Sequence, residues 1–268
     1  MKISGDGVMA TQLAFQLDEG GSIPTLPLQT TKAHQRLIRE AKEQEHNNQN
    51  IPDLDISRAV VQPISYASAK RIILEYEWLG NMTQRTTHCF GIFFDGVPAG
   101  AVCYSIPPTP QAAMGVCGKE YSQLVKTLGR GACVYWAHPH SASKLISLSL
   151  KWMVANTEFR MFVAYSDTRA GEIGTVYQAT NWLYTGMTAG DTEYLIDGKW
   201  QAGRTARHKS YKRRGIDYRT LPKRKAVGKH RYVFIGGDKK ERKSYTDLLR
   251  YKTLPYPKRS GVEDDRGE

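Results

Sequence analysis

The chain has 268 residues, 40% of them apolar, and a formal net charge of +12; that is enough to bury one core of about 150 residues and does not demand two large domains. No run of about 18 apolar residues is available for a membrane-spanning helix, and residues 1–31 lack the basic start and apolar stretch of a secretory leader, so the expected location is the cytoplasm. Residues 1–200 hold 17 Lys and Arg against 18 Asp and Glu, whereas residues 201–268 hold 21 against 8, so the positive excess belongs to the last quarter alone.

In chain order, residues 1–56 read as an N-terminal arm. Its first thirty residues are rich in Gly, Ser, Pro and Gln, and residues 32–50 suit an exposed helix with few apolar anchors. The pattern of a packed domain begins at residue 57. Arg58 to Ile64 is β-branched and predicts a strand, and Tyr66 to Leu79 carries Ala69, Ile72, Ile73 and Tyr76 at helical spacing behind Ser65 as N-cap. His88 to Phe94 and Val97 to Ser105 predict two strands joined by Asp95-Gly96, a strong hairpin signal. Pro107, Pro108 and Pro110 interrupt regular structure. A strand over Ala132 to Ala137, a loop at 138–141 and a helix to about Val154 follow, then a buried strand over Phe159 to Tyr165. A helix over about 172–180 and strands at 182–187 and 193–196 complete the domain. Alternating strands and crossover helices imply an α/β fold, a mixed central sheet flanked by helices, over residues 57–200.

The four cysteines, Cys89, Cys103, Cys117 and Cys133, contain no C-x-x-C pair, which argues against a zinc site. Most lie in apolar strand-like surroundings, where cysteine acts as a small hydrophobe. Two stretches could carry chemistry. Ser141, Ala142, Ser143 and Lys144 open a helix, and the free N–H groups there suit an anion such as a pyrophosphate, although Ser before a helix also serves simply as a cap. Asp167, at the end of the buried strand, and Tyr177, ten residues later on a helix, can point into one cleft as a proton-transfer pair. Equally, Asp167 can cap the next turn while Tyr177 packs.

From residue 201 the chain reads as a basic extension. Arg207, Lys209, Lys212, Arg213, Arg214, Lys223, Arg224 and Lys225 are interleaved with tyrosines. Phosphate neutralisation by such residues releases counterions and binds nucleic acid with a steep salt dependence, and the tyrosines can stack on exposed bases.

The run GTVYQATNWLYTG resembles the late helix-strand motif of the Gcn5-related N-acetyltransferase superfamily. More narrowly, His88-Cys89-Phe90-Gly91, Gly100 to Ser105, Arg130, the loop at 141–143, Tyr165-Ser166-Asp167 and Gly174-Thr175-Val176-Tyr177 together resemble the Mom-type DNA modification proteins of Mu-like phages. The resemblance covers about residues 57–200 with a basic C-terminal end. It implies an acyltransferase-type fold and an enzyme of the host-cell cytoplasm that adds a carbamoylmethyl-type group to N6 of adenine, shielding DNA from restriction. It implies DNA as partner, an acyl-CoA-like donor, and catalytic roles for Asp167, Tyr177, Arg130 and Tyr104, and no protein partner is implied. It also implies iron, with His88 as a ligand, though one histidine makes no metal site. The superfamily's Q/R-x-x-G-x-G pyrophosphate loop is replaced here by His138-Pro139-His140-Ser141-Ala142-Ser143, which implies a changed donor site. Two rival readings share parts of this pattern. An ordinary acyl-CoA-dependent N-acetyltransferase leaves the basic extension without a role, and a non-catalytic nucleic-acid-binding protein leaves Asp167 and Tyr177 without one.

Overall fold

The computed structural model of the protein describes residues 34–46, 54–203, 215 and 217–258. The expected exposed helix is α1 (His34–Glu45), which buries no residue. It is followed by β1 (Val60–Pro63) and α2 (Tyr66–Tyr76). Ser65 caps α2 by accepting the Ser68 N–H at 3.1 Å, and the four apolar positions read from the spacing are the ones α2 buries. Strands β2 (Thr86–Phe94) and β3 (Val97–Ser105) form the hairpin, with Asp95 and Gly96 both at positive φ as a tight two-residue turn requires.

Pro110 does not break the chain but starts a helix, α3 (Pro110–Cys117), because proline is preorganised for a first turn and Thr109 caps it. The next strand also departs from expectation. β4 spans Val125–Cys133, and the apolar run at 134–137 that predicted a strand is a turn, Ala137 N–H returning to Val134 O at 3.2 Å. The glycines and polar residues of 126–131 hid the true strand, whose partners on both sides decide its place. Then come α4 (Ser141–Asn156), β5 (Met161–Asp167), the short α5 (Thr175–Ala179), β6 (Leu183–Met187), β7 (Thr192–Ile196), β8 (Lys199–Ala202), β9 (Lys223–Lys225), β10 (Lys229–Ile235) and α6 (Lys239–Asp247).

The fold is α/β with a mixed sheet, as expected. Seven strands run in the order β1-β2-β3-β4-β5-β10-β6, all neighbours antiparallel except β4 and β5. Pro63 is tolerated because β1 is an edge. Side chains alternate across β5: Phe162 and Ala164 join the larger core with α2 and α4, whereas Met161 and Val163 join a second core with α3 and the residues after α6. Both faces are therefore covered, which is why β5 reads as a nearly continuous apolar run.

The boundary expected at residue 200 is corrected by this sheet. β10 lies between β5 and β6, with Tyr232 and Val233 fully buried, so the last quarter completes the core instead of trailing from it. Its basic residues masked the strand. β7, β8 and β9 form a separate three-stranded sheet in the order β8-β7-β9. Among the described residues no helix is long and apolar enough to cross a membrane. All four cysteines are free and buried.

Candidate active site

β4 and β5 are parallel but paired only from Val125 to Leu128 against Met161 to Ala164. Beyond that point β4 continues along β3 and β5 continues along β10, so the two strands part and open a wedge in the sheet. A bulge in the β3–β4 pairing places Gly129 at the fork. A Cβ there would lie 2.8 Å from Ser105 Oγ and 2.9 Å from Thr83 Cγ2, so a larger residue would have to displace those side chains. The wedge widens into a cleft of about 1680 Å³ lined by residues 129–133 of β4, Tyr165, Ser166 and Asp167 of β5, and Glu77, Glu172, Tyr177 and Lys229. That is more room than one small ligand fills.

Asp167 and Tyr177 both line this cleft. The two alternatives open at the sequence level are both partly realised. Asp167 caps the turn at 168–170 through Arg169 N–H at 3.0 Å, and the Tyr177 ring packs on Trp182 and Tyr232 with centroids 5.2 and 5.3 Å away. The Asp167 carboxylate is also clamped by cations: Arg169 Nε and Nη2 reach it at 3.1 and 3.0 Å, and Lys229 Nζ at 2.9 Å. Burial pushes its pKa up, but the hydrogen bonds from Arg169 and the charge of Lys229 outweigh burial and bring it down to about 2. A carboxylate so held is a poor proton acceptor near neutrality and a good fixed negative charge. Burial, with Glu172 and Glu77 adding to it, pushes the Tyr177 hydroxyl up, so it stays protonated and serves as a hydrogen-bond donor.

Arg130 also lines the cleft. Its Nε and Nη2 donate to Asn81 O and Oδ1, both at 2.7 Å, and Nε lies 3.8 Å from Glu77 Oε2. Glu77, just past the end of α2, was not singled out in the sequence; nothing in its local pattern marks it. Arg169 and Lys229 were missed as well, although Arg169 two residues after Asp167 is the common geometry of a side chain turning back on a turn. Arg169 further bridges to Glu193 on β7 at 3.0 Å, and Arg224 on β9 holds the other Glu193 oxygen at 3.0 Å while stacking on Trp200 at 4.5 Å. A chain of ion pairs thus joins the cleft to the three-stranded sheet.

Other expected site residues fall elsewhere. Tyr104 is fully buried in the core, and its hydroxyl is bonded to Ser149 Oγ at 2.8 Å; it does not line the cleft, and its catalytic assignment is corrected on that ground. Of the four residues expected at the anion cradle, Ala142 lines the cleft. Ser141 is completely buried with no partner for its Oγ, and Ser143 Oγ donates to His140 O at 3.0 Å. Lys144 turns away to donate to Ile56 O and Ser57 O at 2.6 and 3.2 Å, so it is a structural tether and not a phosphate ligand. No side chain caps α4, and its first N–H, that of Ser141, donates to His138 O at 2.8 Å.

His88 does not fit the expected iron site. Its ring meets Trp152 and Phe159, and its Nδ1 lies 2.9 Å from Thr87 Oγ1. Burial, then the charge of Lys126, lower its pKa, and a neighbouring ammonium repels a metal cation. Among the described residues no three His, Cys, Asp or Glu side chains gather. Arg207, Lys209, Lys212, Arg213 and Arg214 lie outside the described residues; Lys223 and Lys225 are exposed on β9, and Arg224 is half-buried.

The sequence profile of the Mom protein family matches residues 58–258. A relative, the methylcarbamoylase Mom of Escherichia phage Mu, is 30% identical over 208 residues, covering 74% of this chain and 83% of the relative. Solved structures are matched more distantly. A ribosomal-protein-S5-alanine acetyltransferase from Vibrio fischeri has 12% identity and a TM-score of 0.40, covering 69% of this chain and 97% of that one. A GCN5-related N-acetyltransferase from Kribbella flavida has 11% identity and a TM-score of 0.40, covering 68% and 100%. The profile match takes in every strand of the seven-stranded sheet and all of the cleft lining except that from α1, and the chain belongs to the Mom protein family.

Proposed function

We propose that this protein is a transferase that modifies DNA, adding a carbamoylmethyl-type group to N6 of adenine and so protecting the DNA from restriction. The observation that carries the reading is the membership of the Mom family, with a methylcarbamoylase as relative, by a chain whose matched residues line most of a cleft of about 1680 Å³. N6 of a paired adenine is buried in the duplex, so the base must leave the stack to reach the chemistry. Asp167, held ionised, accepts a hydrogen bond from the amine and stabilises positive charge developing on it. Tyr177 donates a hydrogen bond to the donor, and Arg130 fixes the wall opposite. The donor is acyl-CoA-like in class, its polar end toward the start of α4, where Ala142 lines the cleft and no side chain caps the helix. Residues 207–214 and the exposed Lys223 and Lys225 hold the phosphate backbone.

The test is to express the full chain in bacteria, purify plasmid DNA, digest it to nucleosides and weigh them. A heavier adenosine, absent when Asp167→Asn or Tyr177→Phe is expressed, is expected. Unmodified adenosine from cells making soluble wild-type protein overturns the reading, and an acylated protein or small amine instead points to an ordinary N-acetyltransferase.

A further inference from the structure

Of the acidic residues that line the cleft, Asp167 and Glu77 have contrasting surroundings, and Glu172 lies near Tyr177 as Glu77 does. Asp167 is clamped in its ionised form by Arg169 and Lys229, both at hydrogen-bonding distance. Glu77, at the end of α2, lines the same cleft with its side chain only 9% exposed; Arg130 lies 3.8 Å away, and the charge of Lys229 also acts on it. Arg130 is itself committed to Asn81 through two bonds at 2.7 Å, so it is anchored too far away to clamp the Glu77 carboxylate. Glu77 Oε2 takes the Leu79 N–H at 3.0 Å, which fixes the carboxylate in place at the cleft wall.

We infer that Glu77 is a catalytic residue, the base that takes the proton from the acceptor amine. The inference rests on the transferase reading above. In the step, the lone pair of the amine nitrogen forms the new N–C bond to the donor carbon that becomes the methylene of the carbamoylmethyl-type group, as the bond from that carbon to the donor's leaving group breaks. The N–H proton passes to a Glu77 carboxylate oxygen. The donor's leaving group departs with its bonding electron pair, takes up a proton from solvent, and Glu77 then releases its own proton to solvent.

The surroundings suit that role. Burial raises the Glu77 pKa above the ordinary carboxylate range, against the pull of Arg130, the Leu79 and Gly80 N–H groups and Lys229. A base is most effective when its pKa approaches the working pH, and of the two carboxylates it is Glu77 that moves in that direction. The groups facing it are Arg130 from β4, Lys229 from β10 and Tyr177 from α5, whose hydroxyl in turn feels the Glu77 charge. At the rim, α1 contributes two charges of each sign, Arg36 and Arg39 with Glu40 and Glu43, and so leaves little net field.

The experiment uses the full-length chain, plasmid DNA and a clarified bacterial extract as the donor source, from about pH 5 to about 9, reading modified adenosine by mass. Glu77→Gln is expected to lower the rate about 100-fold or more while DNA affinity stays within about twofold, and its residual rate should lose the acidic limb of the wild-type profile. Glu77→Asp should keep part of the rate with that limb displaced. If Glu77→Gln is inactive, Glu77→Ala with added formate decides: recovery supports the proton-accepting role. An acidic limb unchanged in Glu77→Gln, or inactive variants that bind DNA and gain nothing from formate, overturns it and leaves Glu77 as a structural partner of Arg130. Absence of modified adenosine with the wild-type chain, in cells and in extract, instead removes the transferase reading itself.

Discussion

Lys229 and Asp167 face each other across β10 and β5, and Lys229 Nζ lies 2.9 Å from Asp167 Oδ2. One residue comes from the end of the strand that carries the family resemblance, the other from a basic stretch sixty-two positions later that reads as an appendage. Because β10 is inserted beside β5, the last quarter of the chain both closes the sheet and sets the charge state of the cleft.

Replacing Asp167 by Asn should destabilise the protein by about 2–3 kcal/mol at neutral pH, since Arg169 and Lys229 then face each other without the carboxylate. The folded-state pKa is lowered from 3.8 to about 2. That stabilisation is therefore present in full above the unfolded value and is lost as pH falls from about 4 toward about 2. Denaturant titrations of both proteins at neutral and acidic pH check this: the gap between them should shrink on acidification.

Tyr177→Phe should abolish modification with little effect on folding, because the ring contacts with Trp182 and Tyr232 remain. Since the hydroxyl is held protonated, the wild-type rate should show no fall from Tyr177 ionisation up to about pH 10. A basic limb lost in Tyr177→Phe would contradict the assignment.

Gly174 precedes α5 at φ +75°, and a Cβ there would run into the Tyr232 ring. Gly174→Ala should cost about 2 kcal/mol or more from strain and collision together, and should displace Tyr177 from the cleft. Thermal melting combined with the nucleoside assay measures both effects.

Ending the chain at residue 203 should give insoluble protein, since it removes β10 from between β5 and β6 and strips both neighbours of their ladder bonds. Solubility and circular dichroism of the shortened chain decide whether the last quarter is integral.

Replacing Lys223 and Lys225 by Ala should lower DNA affinity similarly for all sequences and reduce the slope of log affinity against log salt by about 2 if each contacts one phosphate. Arg224→Ala should act differently, because Arg224 is tied to Glu193 and Trp200; loss of fold in the small sheet is expected along with weaker binding.

Local features were legible wherever a short stretch determines its own structure. The Ser65 cap, the buried face of α2, the Asp95-Gly96 turn and the apolar β5 all follow from spacing and turn chemistry, which act over a few residues. The Tyr165-Ser166-Asp167 end of β5 and Tyr177 could be read as neighbours of one cleft because strand, turn and helix lie in sequence. β4, hidden by Gly129 and Gly131, and β10, hidden by its charges, could not, since their places depend on partner strands far away in the chain. The same holds for the protonation states. Sequence did not distinguish the carboxylates of Asp167 and Glu77; only tertiary structure, by placing Arg169 and Lys229 at hydrogen-bonding distance from one and burying the other 3.8 Å from an anchored Arg130, gave them different surroundings. Coulomb energies and desolvation depend on distance through space, and that quantity is not written along the chain.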